Sequence, residues 1–318
     1  MKPKKMKKRV CTIAAAILAV LTSCEHKELC CDHTSSVAVN VIFDWQNAPD
    51  ATPRSMSCYL FPTDGGKVLR YEFTNRTGGV IRVPAGRYDA LCLNSDTETI
   101  NYRNTEKEKS FEPREWGNLN MSVSAGRLSE APRAGDAENE RVVLSPDMLW
   151  SDHAESIELE RTSAPQTVTL YPKVSVCRYT VEIRNAENLK YVSGISGSLS
   201  SLAGGLFAGK SETTEELVTI PFEVTVSADK STLRGGLLTF GHCPSKQNRH
   251  RLIVYAILSD ESKWYYTYDV TDQIHLAPDQ RNVHIVLDGL PLPKPIVNGG
   301  GFQPSVDEWQ SVDVDIEM

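Results

Sequence analysis

Val37-Ala38-Val39-Asn40-Val41-Ile42-Phe43-Asp44-Trp45 is the stretch whose pattern sets the fold class. Val37, Val39, Val41, Phe43 and Trp45 fall on one side of an extended chain, with Asn40 and Asp44 on the other. A period of two marks a strand with one buried face. The same grammar continues outward. Residues 47–53 carry turn chemistry, with Pro49, Asp50 and Pro53. Residues 56–61 form a second apolar run, and Asp64-Gly65-Gly66 is a turn that lets residues 67–73 return antiparallel. Gly78-Gly79 leads into Val80-Ile81-Arg82-Val83, and Pro84-Ala85-Gly86 turns the chain into the strongly apolar residues 87–94.

The pattern then changes. Residues 94–115 and 127–141 are polar and charged and read as long exposed loops, with one short strand at 100–103. Residues 142–144, 148–150 and 157–159 are expected to complete a first sheet system. Alternation restarts after residue 165, most clearly where Cys177, Tyr179, Val181 and Ile183 oppose Arg178, Thr180 and Glu182. Residues 189–207 have leucines at helical spacing, but Gly194, Gly197, Gly204 and Gly205 argue for a strand and a loop. The continuously apolar Leu252-Ile253-Val254-Tyr255-Ala256-Ile257-Leu258 predicts a central strand covered on both faces, in a hairpin with residues 264–268. Pro291-Leu292-Pro293-Lys294-Pro295 is a stiff spacer and Asn298-Gly299-Gly300-Gly301 a flexible one. Beyond them Val312, Val314 and Ile316 alternate with Asp313, Asp315 and Glu317 as a last amphipathic strand. Many short strands, Gly/Pro turns and no long helical pattern predict an all-β chain of two tandem β-sandwich domains, 36–164 and 165–290, with 291–318 as linker and C-terminal strand.

The N-terminus has a different logic. Lys2, Lys4, Lys5, Lys7, Lys8 and Arg9 precede an uncharged apolar run over residues 10–21. Such a run is too short for a membrane span of about 20 residues, and its parts are those of a secretory signal. It closes on Leu21-Thr22-Ser23-Cys24, which resembles the bacterial lipobox. That resemblance implies lipid on Cys24 after removal of residues 1–23, with residues 24–35 as a polar tether. Two or three acyl chains hold a protein to a membrane far longer than one. The formal charge of the chain is −7, from 34 basic and 41 acidic residues. Without the six basic residues of the leader, 28 face 41, a net −13. That balance argues against nucleic acid or an anionic membrane surface as a partner.

No motif carries catalysis. Seven histidines include no His-Glu-x-x-His pair, and His275 and His284 are expected to meet, at most, across a hairpin. No nucleophile elbow or phosphate-binding loop is present. Cys30-Cys31-Asp32-His33 lacks the paired spacing of a zinc site and lies in the tether. Cys58, Cys92 and Cys177 sit in apolar strand patterns as small hydrophobes. Neither a metal nor another cofactor is expected, and the chain reads as non-enzymatic.

In its order of lipobox, first strand, Met56-Ser57-Cys58-Tyr59-Leu60-Phe61, Asp64-Gly65-Gly66 turn and Val83-Pro84-Ala85-Gly86-Arg87-Tyr88, the chain resembles the fimbrillin-related surface lipoproteins of Bacteroidetes, in particular fimbrial anchor and accessory subunits. The resemblance implies two transthyretin-like β-sandwich domains, attachment to the outer membrane through Cys24, and assembly with other fimbrial subunits by β-strand exchange. Two segments suit such an exchange: Val37, Val39, Val41 and Phe43 near the start, and Val312, Val314 and Ile316 at the end. The alternative is a surface glycan-binding lipoprotein, with Trp264, Tyr265, Tyr266 and Tyr268, or Trp116, as its sugar platform.

Overall fold

Alternation in the opening strand becomes alternation of burial. In the computed structural model, which describes residues 36–103, 120–123, 131–295 and 309–314, Ser36–Phe43 (β1) buries Val37, Val39, Val41 and Phe43. It runs between Gln166–Leu170 (β10), to which it is parallel, and Gly78–Pro84 (β4). A second sheet has the order Lys173–Val174 (β11), Trp150–Leu159 (β9), Gly86–Asn94 (β5), Met56–Pro62 (β2), Leu69–Phe73 (β3). The two sheets share one apolar core, in which Phe43 meets Phe73 edge-on at 5.2 Å. Gly78 closes the contact of β4 with β1. Its φ is +97°, and a Cβ there would lie 2.1 Å from the carbonyl oxygen of Val41, so only glycine fits.

β2 and β5 are buried on both faces. Met56, Cys58, Leu60, Ala90 and Cys92 belong to the first core, while Tyr59, Phe61, Leu91 and Leu93 point the other way into a second, larger one. This middle layer joins the two halves, and the described residues from Val37 onward form one compact unit. The second core lies within a nine-stranded sheet of order Asn282–Leu290 (β20), Cys177–Ala186 (β12), Leu233–Thr239 (β17), Leu217–Val226 (β16), Val192–Ala203 (β13), Arg251–Leu258 (β18), Lys263–Asp269 (β19), Trp309–Asp313 (β21), with Arg141–Val142 (β8) also on β16. β16 turns the corner: its first part pairs with β13 and its last three residues with β17. Strands that bend from one layer to another are how such sheets close on a core. Phe222 fills the corner, where a Cβ on Gly197 or Gly235 would come within 2.5 or 2.7 Å of its ring. The glycines that argued against a helix at 189–207 therefore serve a strand.

The expected junction at 164/165 does not coincide with a change of sheet. β10 and β11 lie beyond it yet pair with β1 and β9 of the first half. Residues 100–103 and 141–142 lie before it yet pair in or beside the second half. Ile100–Arg103 (β6) joins a small sheet with Asn120–Val123 (β7), Gly205–Phe207 (β14) and Glu212–Thr213 (β15), and β8 joins β16. Local alternation says nothing about which partner a strand chooses, so the restart after 165 marked a new run of strands and not a new sheet.

The hairpin β18–β19 matches its expectation. Leu252, Val254 and Ala256 face the second core. Ile253 and Tyr255 face outward, covered by Ala137 of a 3₁₀ turn, Gly135–Ala137, and by Ala134 just before it. That turn lies in a stretch expected to be an exposed loop. Its small alanines, among polar neighbours, are what seal the strand. The one α-helix among the described residues is a single turn, Thr271–His275 (α1), after β19.

Candidate functional site

The candidate site is the open edge of the second sheet, where β21 docks on β19. The pairing is parallel, from Lys263 opposite Trp309 to Thr267 opposite Asp313. The amide of Val314 donates to the Thr267 carbonyl at 3.3 Å. Val312 and Val314 rest against the second core, and Trp309, on the opposite face, meets Tyr255 edge-on at 5.5 Å. Gln310, Ser311 and Asp313 are exposed, and no residue from Trp309 to Val314 is fully buried. The alternation of Val312 and Val314 against Asp313 thus has its physical meaning, while Ile316 lies outside the described residues. β21 is held by one ladder and three half-buried side chains.

A polar cleft of ≈ 880 Å³ borders this edge, lined among others by Arg133, Asp136, Arg251, Asp269, Ser311 and Asp313. Arg251 ties it together, with Nη1 3.1 Å from Asp269 and Nε 3.4 Å from Asp136. Both partners are partly exposed, so these pairs orient the segment over β18 more than they stabilise it. The arrangement provides backbone pairing and a shallow apolar strip; it brings no nucleophile and base together.

The other candidate segment, Val37, Val39, Val41 and Phe43, is built into the centre of the first sandwich and presents no edge. Leu21, Thr22, Ser23 and Cys24 lie outside the described residues, as do Cys30, Cys31 and Trp116. The aromatic run 264–268 is not a platform. Tyr266 and Tyr268 are fully buried, and their hydroxyls donate to the carbonyls of Pro291 and Gly289 at 3.0 and 3.1 Å. Trp264 and Tyr265 are half-buried against the two apolar clusters of the hairpin. Cys58, Cys92, Cys177 and Cys243 are free thiols. Cys58 and Cys92 face each other across β2 and β5, and burial pushes the thiol of Cys58 up to about 12, so both are unreactive packing groups.

Histidine placement departs from expectation. His284 does not meet His275; its Nδ1 lies 2.9 Å from the Thr180 hydroxyl. His275 instead meets His250 and His242, which come from distant loops. No sequence spacing announces that cluster.

The geometry defines a class: an all-β sandwich protein with a lightly held strand at the edge of its larger sheet. The chain belongs to the family DUF5119, described as a domain of unknown function, whose model matches residues 23–223. A Bacteroides ovatus protein provisionally named fimbrium anchoring subunit Fim4B is 25% identical over 328 residues, covering 92% of each chain. The crystal structure of a Bacteroides ovatus protein provisionally described as an adhesin superposes with a TM-score of 0.59 at 20% identity, covering 81% of this chain and 95% of the other. It shares the fold. The fimbrial anchor protein Mfa2 of Porphyromonas gingivalis gives a TM-score of 0.46 at 17% identity, over 79% of this chain and 90% of that one. The resemblance to fimbrial anchor and accessory subunits is borne out, and these relatives are named as structural subunits and adhesins, not as enzymes.

Proposed function

We propose that this chain is a non-enzymatic anchor or accessory subunit of a bacterial surface fimbria, tethered to the outer membrane by lipid on Cys24. Residues 309–318 form its exchangeable strand. The observation that supports the exchange is the docking of β21 at the end of the sheet order, on β19, with every side chain at least partly exposed. When β21 leaves, β19 offers a row of unpaired backbone groups and the strip under Val312 and Val314. A strand from a neighbouring subunit satisfies both. Pro291-Leu292-Pro293-Lys294-Pro295 and Asn298-Gly299-Gly300-Gly301 precede β21 in the sequence, a composition suited to re-aiming it. β1 is the poorer candidate, since withdrawing it opens the first core.

The exchange is tested by locking β21 in place. Tyr265 and Ser311 are register partners, so Tyr265→Cys with Ser311→Cys places two thiols side by side. The oxidised variant is expected to remain folded and monomeric and to fail in co-purifying fimbrial subunits, and reduction restores capture. Capture by the oxidised, cross-linked form overturns the exchange. The anchor is tested separately: Cys24→Ser is expected to move the chain from the membrane to the soluble fraction, and an acylated, membrane-bound variant overturns the lipid assignment.

A further inference from the structure

Three histidines from separate parts of the second core meet in one cluster. His242 follows β17 and bridges Leu202 of β13, His250 precedes β18, and His275 ends α1. His250 is 1% exposed, while His242 and His275 are half-buried and open to one side. Ring centroids are 5.0 Å apart for His250 and His275, 5.1 Å for His242 and His275, and 6.2 Å for His242 and His250.

The orientation of His250 is specific. Its Nδ1 lies 3.1 Å from the Ser200 carbonyl oxygen, and its Nε2 lies 3.1 Å from Nε2 of His275. A carbonyl only accepts, so Nδ1 carries the proton and Nε2 presents a lone pair toward His275. Donation of one ring N–H to a backbone carbonyl, with the other nitrogen bare, is how metal-binding imidazoles are commonly oriented. The backbone is fixed as well: the His250 amide donates to the Thr271 hydroxyl at 2.9 Å, and its carbonyl accepts from Val270 at 3.0 Å. The buried Tyr179 hydroxyl, which has no hydrogen-bond partner of its own, lies against the backbone of His242.

The distances can be set against a coordination sphere. Imidazole nitrogens lie about 2.0–2.1 Å from zinc, so three rings on one tetrahedral ion have centroids about 5.2 Å apart and donor nitrogens about 3.3 Å apart. Two centroid separations and the nitrogen–nitrogen distance fit this closely, and the third separation is about 1 Å long. As the rings stand, no three donor atoms converge on a single point among the described residues. An ion that replaces the proton shared by His250 and His275, with an inward turn of His242, completes the set.

We propose that His242, His250 and His275 form a three-histidine site for a divalent transition-metal ion, zinc first among them, with the fourth position open to water. Imidazole ligands favour zinc, copper and nickel over magnesium or calcium. The ion ties the loop between β17 and β18 to α1, which follows β19 in the chain. The site does not depend on the fimbrial reading.

The untagged full chain is titrated with cobalt(II), whose visible absorption reports tetrahedral nitrogen ligation. One ion per chain is expected, with displacement by zinc and a zinc-dependent rise in Tm. His275→Gln and His242→Gln, at the two half-buried positions, are expected to weaken cobalt binding at least tenfold while the far-ultraviolet dichroism stays that of the wild type. A wild-type chain without saturable absorption overturns the proposal, as does a folded His242→Gln/His275→Gln variant that binds as tightly as wild type. Should the variants fail to fold, diffraction from zinc-soaked wild-type crystals at the zinc edge decides. A peak among the three rings supports the site, and a peak elsewhere or none overturns it.

Discussion

β1 and β21 read alike in the sequence and behave as opposites in the fold. Each alternates apolar and polar residues, and each lies toward one end of the chain. β1 is clasped between β4 and β10, with four side chains no more than 3% exposed. β21 has a partner on one side and buries no side chain completely. Fully burying a Val or Phe side chain stabilises by about 1.5–3 kcal/mol, so β1 contributes several such terms and β21 only fractions of them. A strand can be indispensable to a fold or available to another molecule, and the same alternation serves both.

The contrast breaks most visibly in the first core. Val41→Asp is expected to cost more than about 4 kcal/mol, because it places an unpaired carboxylate in an apolar site. Loss of the cooperative unfolding transition in urea is the readout, and a folded variant of near-native stability removes β1 from the structural role assigned here. Gly78→Ala is expected to cost about 2–3 kcal/mol, through its positive φ and the approach of Val41. A lowered urea midpoint with an unchanged slope checks it. The smallest effect belongs to the last strand. Val312→Ala with Val314→Ala is expected to change monomer stability by about 1 kcal/mol or less, while capture of fimbrial subunits falls sharply. Comparable losses for Val41→Ala and the Val312/Val314 pair in the same denaturation assay place the two strands on one footing and end the comparison.

Much of the architecture was legible. The strand at 100–103, the hairpin at 252–268, the all-β class and a strand rather than a helix within 189–207 follow from period, turn chemistry and the cost of glycine in a helix. What stayed hidden was non-local. β10 returning to β1, and β8 crossing to β16, depend on which surfaces meet after collapse. The doubly buried β2 and β5 read as apolar strands, but the second core that covers their outer face comes largely from residues more than 80 positions downstream of β5. Trp264 to Tyr268 suggested a sugar platform because aromatic content is visible in a sequence and burial is not. Ala134 and Ala137 made the reverse case, with small residues in a polar stretch covering a strand.

By itself the sequence determined the elements: where strands run, which side of each is apolar, and where the chain turns. These depend on residues within a few positions of one another, through backbone sterics and side-chain period. Only the tertiary structure decided that β1 is central and β21 peripheral, and that His242, His250 and His275 meet. Those outcomes depend on partners brought together across the chain, and strand alternation carries no address for a partner.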